Sequence, residues 1–215
     1  KGEVVANLPA SALADDTPIE EHLLINSTPN YLLEHWKWTE DLLPNYLYNG
    51  IINLKNNSFI SWNDVLLELL STPSIASKNW IYNQYDYQVQ SNTLIFPGEA
   101  DAAVIRIRPQ NEFQIQSNQD RGIAAVVDCN DRWVYLDPLR GSMFAVAEAA
   151  RNLSCVGAEP IAITNNLNFS SPDNEIGYWQ LSSSCKGISE ACKSLETPVT
   201  GGNVSLYNES KNKHN

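Results

Sequence analysis

Residues 174–195 carry the pattern that most limits what this chain can become. Leu181, Cys185, Ile188, Cys192 and Leu195 recur three or four residues apart, which places them on one face of a long amphipathic helix. That face needs an apolar surface to cover it, and the flanking sequence offers strands. Pro160–Thr164 has the length and content of a buried strand, and Pro198-Val199-Thr200 leads as a strand into Gly201-Gly202. Residues 141–157 read as a second helix. Phe144, Ala147, Arg151 and Ser154 follow helical spacing, and five alanines between 145 and 158 allow close packing on a sheet. Gly157 suits the left-handed cap position at its end.

Upstream, residues 92–96 read as a strand ending at Pro97-Gly98, and residues 102–108 alternate as a half-exposed strand does. Ile123–Asp128 is a third strand, apolar on both faces. Ser61-Trp62-Asn63-Asp64 resembles a capping box with Asp in the place of Glu, opening a short helix before Pro73. A further helix is expected over about 74–84. These elements predict an α+β or α/β domain over residues 61–210, with no internal repeat.

Residues 1–60 read differently. Through residue 64 there are nine acids against three bases, four prolines and no sustained amphipathic period. The expectation is an extended linker or docking arm with a short helix at 31–43, anchored by Trp36 and Trp38 or else loosely ordered. Residues 211–215 form a polar tail.

Charge narrows the function classes. Fourteen Lys+Arg against 25 Asp+Glu leave a net charge of −11. Duplex nucleic acid demands clustered cations, and an anionic membrane surface does too, so neither is an expected partner. No run of about 18 apolar residues is present, so no transmembrane helix is expected. The first residues are too short and polar for a secretory signal. The four cysteines (129, 155, 185 and 192) contain no C-x-x-C pair. They read as reduced, buried thiols of a cytoplasmic protein rather than zinc ligands.

Gly201-Gly202-Asn203-Val204-Ser205 is the strongest local candidate for chemistry. Two glycines can turn backbone N–H groups toward one point, and Asn203 and Ser205 add a carbonyl and a hydroxyl on alternate positions. Such a loop suits phosphate, or magnesium bridging phosphates, and it is equally a plain Gly-Gly turn. Asp128-Cys129-Asn130 and Asp137-Pro138 offer carboxylates after a strand, either as metal ligands or as turn-formers. Thr164-Asn165-Asn166-Leu167-Asn168 offers three asparagines and no carboxylate. The histidines are His22, His35 and His214, so no Ser-His-Asp or Cys-His arrangement is expected within the main domain, and no catalytic residue is assigned. A glycine-rich loop directly after a strand normally feeds another element, which points to a truncated protein or to a site completed by another chain.

Three stretches in order carry a family pattern. They are Asp128-Cys129-Asn130-Asp131-Arg132-Trp133-Val134-Tyr135-Leu136-Asp137-Pro138, then Ala145 to Leu153 continuing through Val156-Gly157-Ala158-Glu159-Pro160, then Thr197-Pro198-Val199-Thr200-Gly201-Gly202-Asn203-Val204-Ser205-Leu206-Tyr207-Asn208-Glu209. With Ser74-Ile75-Ala76-Ser77-Lys78-Asn79-Trp80-Ile81-Tyr82 and Gln84-Tyr85-Asp86, the pattern closely resembles phosphoribosylformylglycinamidine synthase, over residues 61–210 and more weakly over the linker.

The resemblance implies an aminoimidazole-ribotide-synthase-like N-terminal domain, whose mixed sheet pairs with an equivalent one into a β-barrel. It implies an ATP-dependent C–N ligase of purine biosynthesis, in which ATP activates the formamide oxygen of formylglycinamide ribonucleotide and ammonia from a glutaminase subunit displaces phosphate. By position, Asn165 and Gly202 resemble ATP contacts, Asn203 a magnesium ligand and Ser205 a substrate contact. Asn165 stands where the family usually has aspartate, and Ser170 where it usually has glycine. Both departures imply weakened ATP and Mg2+ binding. The family's catalytic histidines belong to a first half that this sequence does not contain. The expected behaviour is a half-site that acts only with a partner, either a second copy or a complete synthase paired through the barrel edge. The alternative is a non-catalytic regulator of a complete synthase or its glutaminase partner. A third reading is a fragment without independent function.

Overall fold

The computed structural model describes residues 2–37, 39, 50–53, 58–108 and 121–209. Within them the chain is mixed α+β. The strands are β1 (Gly50–Asn53), β2 (Ser58–Ser61), β3 (Thr93–Ile95), β4 (Ala103–Ile107), β5 (Arg121–Ala125), β6 (Ile163–Asn168) and β7 (Val199–Ser205). The helices are α1 (Asn30–His35), α2 (Trp62–Ser71), α3 (Asn79–Tyr82), α4 (Asp131–Leu136), α5 (Pro138–Cys155) and α6 (Glu175–Ser194).

The two long helices form where the apolar spacing places them, and each has its own start signal. The Asp137 carboxylate accepts the Arg140 N–H at 3.0 Å and Pro138 occupies the first turn of α5. Gly157 ends that helix at φ +76°, as the cap expectation requires. The Asn174 side-chain oxygen accepts from Ile176 and Gly177 to open α6. The two helices pack tightly because Gly187 has no Cβ: one there would run into the Leu139 carbonyl. Val146, Ala191 and Cys192 form the buried cluster between them, with Met143, Ile163 and Ile188 against it.

Among the described residues the strands make three separate sheets. β1 and β2 are an antiparallel pair, β3, β4 and β5 are antiparallel in that order, and β6 and β7 are parallel. None of these sheets closes into a barrel. The parallel pair needs a crossover, and α6 supplies it. In β4 and β5, Ile105 faces Ile123 across the ladder and Ile107 lies two residues on. All three are exposed, at 51%, 57% and 45%.

Several elements differ from the sequence expectations. Pro160–Ala162 precede β6, and Ile161 is exposed rather than buried. β5 ends at Ala125, so Val126 to Asp128 lie beyond it. The helix expected over 74–84 is confined to Asn79–Tyr82, because residues 72–77 form turns. α4, which no periodicity announced, is opened by the Asn130 side chain accepting the Trp133 N–H at 3.2 Å. At Ser61 the capping geometry forms, but Asp64 accepts the Ser61 hydroxyl at 2.7 Å rather than its backbone N–H.

The hairpin of β1 and β2 falls across the segment read as a linker. The described arm also makes specific contacts. Leu32 is fully buried. The Trp36 indole N–H donates to the Leu136 carbonyl at 2.8 Å, and the Tyr31 hydroxyl donates to the Tyr135 carbonyl at 3.2 Å while accepting from Gln180 at 2.6 Å. The helix expected at 31–43 spans Asn30–His35. Trp38, residues 40–49, and the polar tail 211–215 with His214 lie outside the described residues.

Candidate functional site

The Gly-Gly segment is not a loop. β7 runs through Gly201 and Gly202 to Ser205 and, after an irregularity at Thr200, pairs with β6 residue for residue from Gly201 to Ser205. The expected anion nest therefore does not form there, because these N–H groups lie along an extended strand rather than converging in a turn. The reason is visible at Gly202. Its φ is +156°, and a Cβ there would collide with the side-chain oxygen and the carbonyl of Asn165. The glycine is needed for this close approach of two strands, rather than for a bend.

Register then sorts the candidates. Asn165 stands opposite Gly202, Asn166 opposite Asn203, and Asn168 opposite Ser205. Opposed residues in a parallel pair share a face, and neighbours alternate. Asn203, Ser205, Asn166 and Asn168 thus line one side, largely solvent-facing on β6. The Asn168 amide donates to the Asn166 side-chain oxygen at 3.1 Å, and the Asn203 amide lies 3.4 Å from the Ser205 hydroxyl. Asn165 occupies the opposite, half-buried side with Gly202 and Leu167. Asn165 also lines a groove beside α6 that contains Lys193 and Thr197; of the four candidates it alone does so.

The structure therefore brings Asn203 and Ser205 together and separates Asn165 from them by the thickness of the strand pair. Asn166 and Asn168 join the Asn203/Ser205 face. The alternation Asn166-Leu167-Asn168 carries that signal. The arrangement is a row of neutral donors and acceptors without a carboxylate. Among the described residues no group of three or more His, Cys, Asp or Glu side chains could hold a metal ion. Magnesium is held through one or two carboxylates with substrate phosphates. Asn203 and Ser205 therefore fit the cation only as part of a phosphate complex that brings its own charge.

The other candidates resolve as follows. The Asp128 carboxylate accepts from Asn152 on α5 at 3.1 Å, and Asp137 caps α5. Cys192 is buried, whereas Cys129, Cys155 and Cys185 are exposed, which corrects the expectation of four buried thiols. Partial desolvation raises the thiol pKa at Cys129, Cys185 and Cys192, with the charges of Asp131 and Glu148 adding to it at Cys129 and the Thr197 hydroxyl opposing it at Cys192. All three are held as thiols at neutral pH, unlike activated nucleophiles. A histidine does reach the main domain: His22 Nδ1 lies 3.6 Å from Asp173, with its ring against Tyr178.

Residues 99–214, which include all four candidates, match the family model described as AIR synthase related protein, N-terminal domain. The chain belongs to this family. Over its whole length it is 81% identical to phosphoribosylformylglycinamidine synthase subunit PurL of Prochlorococcus marinus strain NATL1A, and 66% identical to that of strain MIT 9215. It spans about a quarter of these relatives, 27% and 28% of their lengths. Among solved structures, PurLQS from Thermotoga maritima matches 63% of this chain and 21% of its own at a TM-score of 0.54 and 33% identity. T. maritima PurL complexed with ATP matches 64% of this chain and 21% of its own, at a TM-score of 0.52 and 33% identity. The AIR synthase related fold thus accounts for the α+β body. No helix among the described residues is long and apolar enough to cross a membrane.

Proposed function

We propose that this chain supplies part of the nucleotide and substrate site of a phosphoribosylformylglycinamidine synthase, and that it works only when joined by the rest of such an enzyme. The observation that carries this reading is the register of β6 and β7, which sets Asn203 and Ser205 side by side on one polar face with Asn166 and Asn168. On that face Asn203 helps hold magnesium bound to ATP phosphates, and Ser205 contacts formylglycinamide ribonucleotide. Gly202 and Asn165, which face one another across the pair, are the remaining ATP contacts. The reaction transfers the γ-phosphoryl of ATP to the formamide oxygen, and ammonia then displaces inorganic phosphate to give the amidine. The ammonia comes from a glutaminase subunit, in the cytoplasm. When bound, magnesium neutralises the phosphate charge that these neutral side chains cannot.

One observation supports the need for a partner: the Ile105, Ile107 and Ile123 face of the β3–β5 sheet is exposed. A second sheet laid over it, from another copy or from a complete synthase, would make the barrel.

The test is complementation. A relative's synthase with the corresponding stretch deleted is mixed with this chain, and ATP-dependent amidine formation from ammonia is measured. The parent chain restores turnover, and the Asn203→Ala/Ser205→Ala variant does not. Restoration by both chains, or by neither, defeats the reading. A changed rate of an intact synthase, insensitive to those substitutions, would instead establish the regulator.

A further inference from the structure

We propose that Glu209 is a positioning residue: it clamps the ends of β6 and β7 together and so sets where Asn203 and Ser205 stand. The ladder continues past its last paired strand residues. The Phe169 N–H donates to the Ser205 carbonyl at 2.9 Å, and the Asn208 N–H donates to the Phe169 carbonyl at 3.1 Å. The chain leaving β7 therefore stays on the chain leaving β6. Glu209 closes this junction with its side chain, where Oε1 accepts the Ser171 N–H at 2.9 Å across 38 residues of sequence.

The far partner is also anchored. The Ser171 hydroxyl donates to the Asp173 carboxylate at 3.1 Å and accepts the Asp173 N–H at 3.3 Å, and Asn174 follows directly as the cap of α6. Gly177 in the first turn of α6 leaves room for the Ser170 side chain, which a Cβ there would overlap. One carboxylate thus ties the exit of β7 to the turn that starts the crossover helix. The Ser205 carbonyl is held within the same junction, and Ser205 neighbours Asn203 on the polar face. A main-chain N–H bound to a carboxylate is stronger than a bond between neutral groups. Without it, among the described residues, the two exits are joined by the main-chain bonds of Phe169 with Ser205 and Asn208.

The positioning role rests on the reading that the Asn203/Ser205 face takes Mg·ATP, and the experiment separates the two. Amide hydrogen exchange at Ser171 and the Asn203 side-chain amide resonances are recorded by NMR in the full chain, in Glu209→Ala and in Glu209→Gln. Each is also titrated with Mg·ATP. Protected amides in α5 and α6 confirm that the fold persists. In Glu209→Ala, exchange at Ser171 rises about tenfold, the Asn203 resonances move, and Mg·ATP binding weakens about fivefold. Glu209→Gln keeps a neutral acceptor oxygen and restores the larger part of all three. Unchanged Ser171 exchange in Glu209→Ala overturns the clamp. Faster exchange with parent-like Asn203 resonances and parent-like affinity overturns the positioning. If the parent chain alone binds no Mg·ATP, the complementation test decides the function proposed above and the Asn203 resonances decide the positioning: displaced in Ala and restored in Gln upholds it, unchanged defeats it.

Discussion

The side-chain oxygen of Asn165 occupies the space that a Cβ on Gly202 would need, and the Asn165 carbonyl lies just behind it. This contact joins the two strands of the candidate site at its centre. Gly202→Ala should therefore destabilise the chain by about 1–3 kcal/mol in urea unfolding. Adding Asn165→Ala should recover little of this loss, since the obstructing backbone carbonyl remains. Full recovery in the double variant would show that the side chain alone demands the glycine.

Asn165→Asp introduces a carboxylate on the half-buried side of the pair. An ionised acceptor makes hydrogen bonds worth about 1.5–3 kcal/mol, against about 1 kcal/mol for a neutral one. Mg·ATP binding should tighten about tenfold, and the gain should shrink with added salt. Titration calorimetry at two ionic strengths checks both statements. Equal affinities in the two chains would remove position 165 from the nucleotide contacts.

Around α1 the arm is held by one buried leucine and two aromatic donors. Leu32→Ala should cost about 2–5 kcal/mol of docking and Trp36→Phe about 1 kcal/mol, because the latter loses only the bond to the Leu136 carbonyl. Limited proteolysis is the readout. Cleavage should move into residues 22–36 first in Leu32→Ala and more slowly in Trp36→Phe. Identical digestion of all three chains would show that these contacts do not fasten the arm.

Tyr31 gives the docking a pH dependence. Burial raises its phenol pKa above the ordinary tyrosine value, the Gln180 bond lowers it in part, and Tyr135 raises it. A group whose proton is held more tightly in the folded state contributes stability that is complete below the unfolded pKa. That contribution is lost as pH rises through the folded value. Urea unfolding between pH 8 and 11.5 should show the parent losing stability above about pH 10 more steeply than Tyr31→Phe. Parallel curves would refute the coupling.

The sequence is most legible where one residue pattern decides one element. α5 and α6 form where the spacing predicts them, and Asp137, Asn174 and Gly157 mark their ends. The faces they bury, however, are Gly141, Ser142 and Val146 on α5 and Gly177, Ser184, Gly187, Ala191 and Cys192 on α6, while Phe144, Cys185 and Leu195 stay exposed. The site is less legible because parallel pairing is a long-range fact. Gly201-Gly202 carries the local signature of a turn, and Asn165 to Asn168 have low strand propensity, yet both segments are strands. Only the partner explains why. Ile161 failed as a core residue for the same reason, since its content fitted a strand that begins at Ile163. Glu209 had no local signal either: its bond partner lies 38 residues earlier.

The crossover through α6 also governs when the site can exist. Ile163 and Val199, which open the β6–β7 register, are 36 positions apart (199 − 163), and everything between them must be in place before they meet. Closing so long a loop costs entropy that only the finished ladder and helix packing repay. The polar face should consequently be among the last parts of the body to assemble and among the first lost on opening. Anything that binds there would draw the late stages of folding to completion, so that occupancy and native structure rise together.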